Sequence, residues 1–136
     1  MEITVTTVRG KVPVIVVKPH GDMDASNYTE LVKKVEGLIN DGSLDFLIDL
    51  SDVPFMSSAG LVALHSLART LRGDNTIDPK TGWAMLKSVS ASRDHGPQQH
   101  IKLLSPQANV AETIEKAGFD QFFTVFTDMK AALESF

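Results

Sequence analysis

The sequence predicts an α/β fold with a mixed, mostly parallel sheet that a β-hairpin opens and against which helices pack. Near the start, apolar and polar residues alternate, which is typical of a half-buried strand. Later apolar runs are short and continuous, and segments with helical spacing separate them. Strands that alternate with helices favour a parallel sheet with right-handed crossovers.

Two strands form the opening hairpin. Residues 3–8 alternate Ile or Val with Thr, and Gly10-Lys11 supplies a turn. Residues 13–18 are a second and more continuously apolar strand. The loop of residues 19–24 leads from it to the first helix.

The first helix is amphipathic. Asp24, Ser26 and Asn27 are all competent N-caps, so its start stays open within a few residues. Asp41-Gly42 ends it. Its apolar residues recur at spacings of three and four: Tyr28, Leu31, Val32, Val35, Leu38 and Ile39.

Residues 46–64 run from a buried strand through a loop into a second helix. The strand is the apolar run 46–50, and Asp52 and Pro54 break it. The helix continues to about Arg72-Gly73. Its apolar stripe consists of Leu61, Leu64, Leu67, Ala68 and Leu71.

Ser57 and Ser58 lie where this strand gives way to the helix. The first turn of a helix has unpaired N–H groups and the positive end of the macrodipole. A serine there either caps the helix or carries a phosphate that the helix N-terminus stabilises.

The remaining elements complete the order β-β-α-β-α-(insert)-β-α-β-α in a single domain of residues 1–136. The insert, about residues 73–100, contains four turn-forming clusters around an apolar island in which we expect Trp83 to be packed. Then follow a strand at 101–104, a helix with Ser105 as N-cap and Pro106 at N1 that stops at Gly118, a strand at 122–126, and a final helix that Thr127-Asp128 caps.

The amino-acid composition excludes several classes of function. The 136 residues contain no cysteine, which excludes thiol catalysis and cysteine-based metal sites. The net charge is −4 and basic residues are scattered, so we expect no nucleic-acid partner. Without an N-terminal signal peptide or a long apolar run, we expect a cytoplasmic protein without membrane insertion.

The sequence does not contain the motifs of a serine hydrolase, a metal site or a nucleotide-binding enzyme. Met56 stands where a hydrolase elbow around Ser58 requires glycine, and His65 lies two turns along the same helix. His20, His95 and His100 have no spacing that forces them together, so we expect surface histidines and no metal. No phosphate-binding loop or dinucleotide fingerprint indicates a cofactor.

Two loops contain distinctive motifs. The first is Gly-x-[apolar]-Asp at residues 21–24. The second is Asp-Leu-Ser-x-Val-x-Phe-[Met/Ile]-x-Ser-x-Gly-Leu at residues 49–61. In these two loops the chain resembles the STAS domain family, whose best-known members are bacterial anti-sigma-factor antagonists. The resemblance in element order covers about residues 3–72 and 101–133.

The resemblance implies a binding switch, not a catalyst. Such a domain binds an anti-sigma factor that is also a GHKL-type serine kinase, and so frees a sigma factor. The kinase phosphorylates the serine at the start of the second helix, which ends binding, and a serine phosphatase restores it. That serine aligns with Ser58, and Ser57 is the second choice because it replaces the aspartate that is common in the family.

Further residues are candidates for partner contact. Asp22 and Asp24 either cap the first helix or contact the partner. Val62, Ser66 and Arg69 are expected to project outward from the second helix. The insert is a partner contact, a contact between copies in a homo-oligomer, or a tolerated surface excursion.

Two other functions stay open at this point. One is a STAS module without a phosphoswitch, such as a signalling-scaffold subunit or a lipid-transport accessory subunit, which the replacement of aspartate by Ser57 favours. The other is a small serine-dependent enzyme, which would lose turnover on Ser58→Ala.

Overall fold

A computed structural model describes residues 1–71 and 98–136. Most of the predicted insert, including Trp83, and the predicted helix end at Gly73 lie outside the described residues. The described elements are β1 (Glu2–Arg9), β2 (Pro13–His20), α1 (Tyr28–Asn40), β3 (Phe46–Asp49), α2 (Ser58–Leu71), β4 (Ile101–Leu104), α3 (Ala108–Lys116), β5 (Val125–Phe126) and α4 (Met129–Glu134).

The strands form one sheet in the order β1-β2-β3-β4-β5. β1 and β2 are antiparallel, with Val5 opposite Val17, and all later pairs are parallel. In the parallel part, Val17, Ile48 and Leu103 lie side by side in register. The predicted α/β class and the opening hairpin are confirmed.

Apolar side chains fill both faces of the sheet. The larger core joins one face to α1, α2 and α3, and it includes Val17, Phe46, Ile48 and Leu103 from the strands. The smaller core joins the other face to α4, through residues such as Leu47. Because side chains alternate along a strand, neighbouring residues of β3 serve different cores.

α3 begins three residues later than Ser105, the predicted N-cap. The amide of Ser105 donates to the carbonyl of Phe126 at 2.7 Å, so Ser105 extends the pairing of β4 with β5. Its φ of 50° then turns the chain away from the strand direction. Gln107 is the residue before the helix, and its side chain makes no capping bond.

β5 is shorter than the predicted strand 122–126. The amides of Phe122 and Phe123 donate to the carbonyl of Phe119, at 3.0 and 2.7 Å, which closes a turn after α3. Both rings are fully buried, and their centroids lie 4.9 Å apart in an edge-to-face arrangement. The apolar run thus fills the core from a turn and not from a strand.

Candidate functional site

Two loops join at the carboxyl edge of the sheet, the place where binding sites of parallel sheets gather. The amide of Gly21 donates to Asp52 O at 3.0 Å, and that of Met23 donates to Phe55 O at 2.9 Å. In the other direction, Ser57 N–H donates to Met23 O at 2.9 Å. These bonds extend the pairing of β2 and β3 beyond the strands, so the β2–α1 loop (residues 21–27) and the β3–α2 loop (residues 50–57) form one surface.

A series of side-chain hydrogen bonds holds the two loops together where β2 ends. His20 Nδ1 is hydrogen-bonded to the carboxylate of Asp52, and its Nε2 lies 2.7 Å from Thr4 Oγ1. Gly21 follows with a φ of 95°, which favours glycine. β1 and β2 are thereby tied to the β3–α2 loop through side chains as well as backbone.

Gly60 lets α2 approach both loops closely. A Cβ at this position would lie 2.5 Å from Met56 Cγ and 3.2 Å from Met23 Sδ. Both methionines are buried, with exposures of 2% and 0%. The glycine of the sequence motif therefore serves close packing beneath the site.

The two serines at the start of α2 have different environments. The hydroxyl of Ser57 accepts a hydrogen bond from Ala59 N–H at 3.2 Å, and its carbonyl accepts from Gly60 N–H at 3.0 Å. Ser57 thus occupies the N-cap position. Ser58 is the first helical residue and is partly exposed, and no side-chain hydrogen bond joins its hydroxyl to any other residue that the structure describes.

Neither acid of the β2–α1 loop caps α1. Asn27 occupies the N-cap position, and its side chain donates to Asp22 O at 2.8 Å. The carboxylate of Asp24 accepts from Ser26 Oγ at 2.5 Å and from Ser26 N–H at 2.9 Å. These two bonds hold the pKa of Asp24 below its ordinary value. Asp22 is exposed and Asp24 is partly exposed.

A third segment holds the β3–α2 loop from the other side. Gln107 Nε2 donates to Ser51 O at 3.0 Å, and Asn109 Nδ2 donates to Pro54 O. No sequence pattern predicts these contacts, because the partners are backbone carbonyls more than 50 residues away. Polar residues at a helix start are ordinarily interpreted as caps.

The prediction that Val62 and Ser66 project outward is wrong. Their exposures are 4% and 0%, and every residue from Gly60 to Ala68 is buried. α2 lies between its neighbours on this face of the sheet. α1 packs against it, and the ring centroids of His65 and Phe122 lie 5.3 Å apart. A helix with neighbours on several sides has no broad outward face. Arg69, nearer the end of α2, is partly exposed.

The described histidines outside α2 bond to single carboxylates. His100 Nδ1 lies 2.9 Å from Asp45 Oδ1, at the amino edge of the parallel strands, and His20 is at the carboxyl edge. Within residues 1–71 and 98–136, no three His, Asp or Glu side chains are grouped so that they could hold a metal ion. In the same residues, no helix has the length and apolar character to cross a bilayer.

Comparison with known structures identifies the same fold. A candidate anti-sigma factor antagonist from Thermotoga maritima is 20% identical, with a TM-score of 0.65 over 97% of this chain and 92% of that one. An anti-sigma factor antagonist from Mycobacterium paratuberculosis is also 20% identical, with a TM-score of 0.64 over the same shares. The anti-sigma factor antagonist SpoIIAA in its unphosphorylated form is 17% identical, with a TM-score of 0.60 over 96% of this chain and 93% of that one.

Sequence comparison gives the family. No curated protein matches the chain significantly. The STAS domain model matches residues 5–76, which is more than half of the 136-residue chain and includes both loops of the site. The chain therefore belongs to the STAS domain family.

Proposed function

We propose that this chain is an anti-sigma-factor antagonist that works by partner switching in the cytoplasm, where sigma factors and their regulators act. In its unmodified form it binds an anti-sigma factor that is also a GHKL-type serine kinase. Phosphorylation of Ser58 ends this binding, and a serine phosphatase restores it. The chain acts by binding and not by catalysis.

The observation that carries the proposal is the division of roles between Ser57 and Ser58. Both serines are partly exposed, but Ser57 caps α2 with its hydroxyl, whereas the hydroxyl of Ser58 makes no hydrogen bond within the described part of the chain. A kinase must reach its acceptor hydroxyl without dismantling the helix start. Ser58 meets that condition better than Ser57 does, which supports Ser58 as the acceptor.

The charge of a phosphate on Ser58 would oppose binding of the partner. A phosphate adds about −1.5 to −2 charges at neutral pH. At Ser58 it would lie at the N-terminus of α2, whose dipole stabilises it in the free protein. The surface also contains Asp22, Asp24 and Asp52, and a partner suited to these carboxylates would have to desolvate additional negative charge on docking. The same modification therefore favours the free state and opposes the bound one.

The replacement of aspartate by Ser57 does not require a different function. Serine and aspartate are both preferred at the N-cap position. Ser57 keeps the cap that aspartate would supply and removes one negative charge beside the acceptor. Val62 and Ser66 are left out of the proposed partner surface because they are buried.

The first test is phosphosite mapping by mass spectrometry on the chain captured from its native cells, with co-captured proteins identified in the same run. We expect phosphate on Ser58 and co-capture of a GHKL-type kinase. Phosphate on Ser57 alone would move the acceptor by one residue. Unmodified serines across growth and stress conditions, together with transport or scaffold partners, would leave the STAS fold without the switch.

The second test measures binding of that purified kinase to variants of the chain. Ser58→Asp should weaken binding at least tenfold, about 1.4 kcal/mol, whereas Ser58→Ala should bind like the wild type. Ser43→Asp is the matched control, because it adds the same charge to a partly exposed serine just before β3, at the opposite edge of the sheet from the two loops. Equal binding by Ser58→Asp and Ser58→Ala would reject the switch.

A further inference from the structure

We propose that Phe55 is the apolar anchor with which this chain enters a pocket of its protein partner, and that basic side chains border this pocket. The inference rests on the proposed function and names the contact surface and the chemistry of the partner.

Phe55 is an aromatic side chain that the fold leaves in solvent. It is 49% exposed, whereas Val53, two residues before it, and Met56, directly after it, are 0% and 2% exposed. Within the described residues, Leu44 and Met129 are the other large hydrophobic side chains with comparable exposure, at 52% and 36%. Phe55 is the one of these three that lies in the β3–α2 loop, beside the proposed phosphorylation site.

The backbone under Phe55 is held from two sides. The carbonyl of Phe55 accepts from Met23 N–H at 2.9 Å, and the carbonyl of Pro54 accepts from Asn109 Nδ2. The residue is thus fixed between the β2–α1 loop and the start of α3. Because the backbone is already ordered, binding costs little conformational entropy at this residue. Most of the free energy gained by burying the aromatic ring therefore contributes to affinity.

Among the described residues, the charged side chains of the segments around Phe55 are acidic, and His20 is hydrogen-bonded to one of them, Asp52. Residues 20–27, 51–60 and 105–111 form the three segments at this edge, and they contain Asp22, Asp24 and Asp52 but no Lys or Arg. Electrostatic complementarity requires a basic border on the partner. A second copy of this chain is a poor occupant, since a symmetric contact through Phe55 would bring two acidic surfaces together.

The anchor explains why phosphorylation would end binding. Ser58 follows Phe55 by three residues, so their Cα atoms are at most about 11 Å apart. A protein interface of standard size covers about 800 Å² of each partner, which extends beyond this separation, so an interface centred on Phe55 also covers Ser58. A neutral hydroxyl permits this, whereas a phosphate dianion opposes it through its desolvation.

The test compares Phe55→Ala with Leu44→Ala in binding to the purified anti-sigma factor kinase. Leu44 is the matched control, since it is equally exposed but lies just before β3, at the opposite edge of the sheet. We expect Phe55→Ala to raise Kd about thirtyfold, chiefly through faster dissociation, and Leu44→Ala to leave it within about twofold. Thermal denaturation of both variants verifies that they are folded.

Association rates measured at several salt concentrations test whether basic side chains border the partner's pocket. Asp22→Asn should slow association at low salt, and the difference from the wild type should shrink as salt is added. A photo-crosslinking amino acid at position 55 should form an adduct with the kinase, and one at position 44 should not. An Asp22→Asn effect that salt leaves unchanged would overturn the basic border.

The failures of the two proposals are distinguishable. If Ser58→Asp weakens binding but Phe55→Ala and Leu44→Ala both bind like the wild type, the anchor is wrong and the switch stands. If the unmodified wild type binds no anti-sigma factor, the proposed function fails and the anchor fails with it. A concentration-dependent dimer in sedimentation that Phe55→Ala abolishes would make a second copy the occupant, and would also overturn the inference.

Discussion

The amide of Met23 donates a hydrogen bond to the carbonyl of Phe55 at 2.9 Å, and through this bond the loops after β2 and β3 act as one unit. Met23 is fully buried, whereas Phe55 is half exposed. The bond therefore connects the packed interior beneath α2 to the surface that we assign to the partner. A change in packing at Met23, Met56 or Gly60 is expected to reach the partner surface through it.

Gly60→Ala should lower the free energy of unfolding by about 1–3 kcal/mol, which is typical of overpacking. The added Cβ would lie 2.5 Å from Met56 Cγ, and Met56 is too buried to move freely. Urea denaturation measures the change. Gly37→Ala in α1 is the control, because a Cβ there meets nothing within 4 Å. That variant should be more stable than the wild type by up to about 1 kcal/mol, since alanine favours helix. Equal effects would contradict the close approach at Gly60.

Ser57→Ala should lower the free energy of unfolding by about 1 kcal/mol, because Ala59 N–H loses the hydroxyl that accepts its hydrogen bond. Ser57→Asp should retain the stability, since a carboxylate caps the helix and suits the positive end of its dipole. Ser58→Ala is the comparison that separates the two serines, and it should be close to neutral. A larger loss for Ser58→Ala than for Ser57→Ala would reverse the assigned roles.

Local patterns in the sequence predict most of the fold. The period of two in residues 3–8 and the apolar run at 101–104 each predict a strand that is present. The run at 122–126 predicts a strand where the structure has a buried turn followed by two strand residues. Periodicity alone does not distinguish a buried strand from apolar residues that a turn directs into the core.

The candidate site could likewise be predicted only in part. Its loops are predictable because glycine, proline and acids follow the ends of β2 and β3. The burial of Val62 and Ser66 could not be predicted. The apolar stripe on α2 indicates one buried face, whereas neighbouring elements cover several faces of this helix. The contacts of Gln107 and Asn109 could not be predicted either, since they depend on tertiary placement of two backbone carbonyls.

Ser26→Ala should raise the pKa of Asp24 toward its ordinary value. The Ser26 hydroxyl and amide both donate to this carboxylate and lower its pKa, and the variant removes the hydroxyl. Because the folded pKa lies below the unfolded one, the carboxylate stabilises the fold above the unfolded pKa. This contribution is lost as the pH falls through the folded pKa.

Carbon-detected NMR titration of the Asp24 carboxyl measures the shift. Glu112 is an internal control, since its pKa is lowered by Lys116, which lies 2.7 Å away and far from Ser26 in sequence. Its midpoint should be the same in both proteins. An unchanged Asp24 midpoint in the variant would show that the hydroxyl bond is absent in solution.

Asn109→Ala should loosen the β3–α2 loop without unfolding the protein. The side chain donates to Pro54 O, next to Phe55, and losing one such bond is worth about 1 kcal/mol. Hydrogen exchange at the amides of Met23 and Ser57, which bond between the two loops, should become about fivefold faster.

Thr113→Ala is the matched control for this variant. Its hydroxyl donates to the Asn109 carbonyl at 3.0 Å within α3, so it removes a hydrogen bond from the same helix without touching the loop. Exchange at Met23 and Ser57 should then match the wild type. If both variants accelerate exchange equally, the effect comes from α3 as a whole. In that case Asn109 does not hold the loop that the partner contacts. Only the hydrogen bond from Met23 N–H would then fix the backbone of Phe55 before binding.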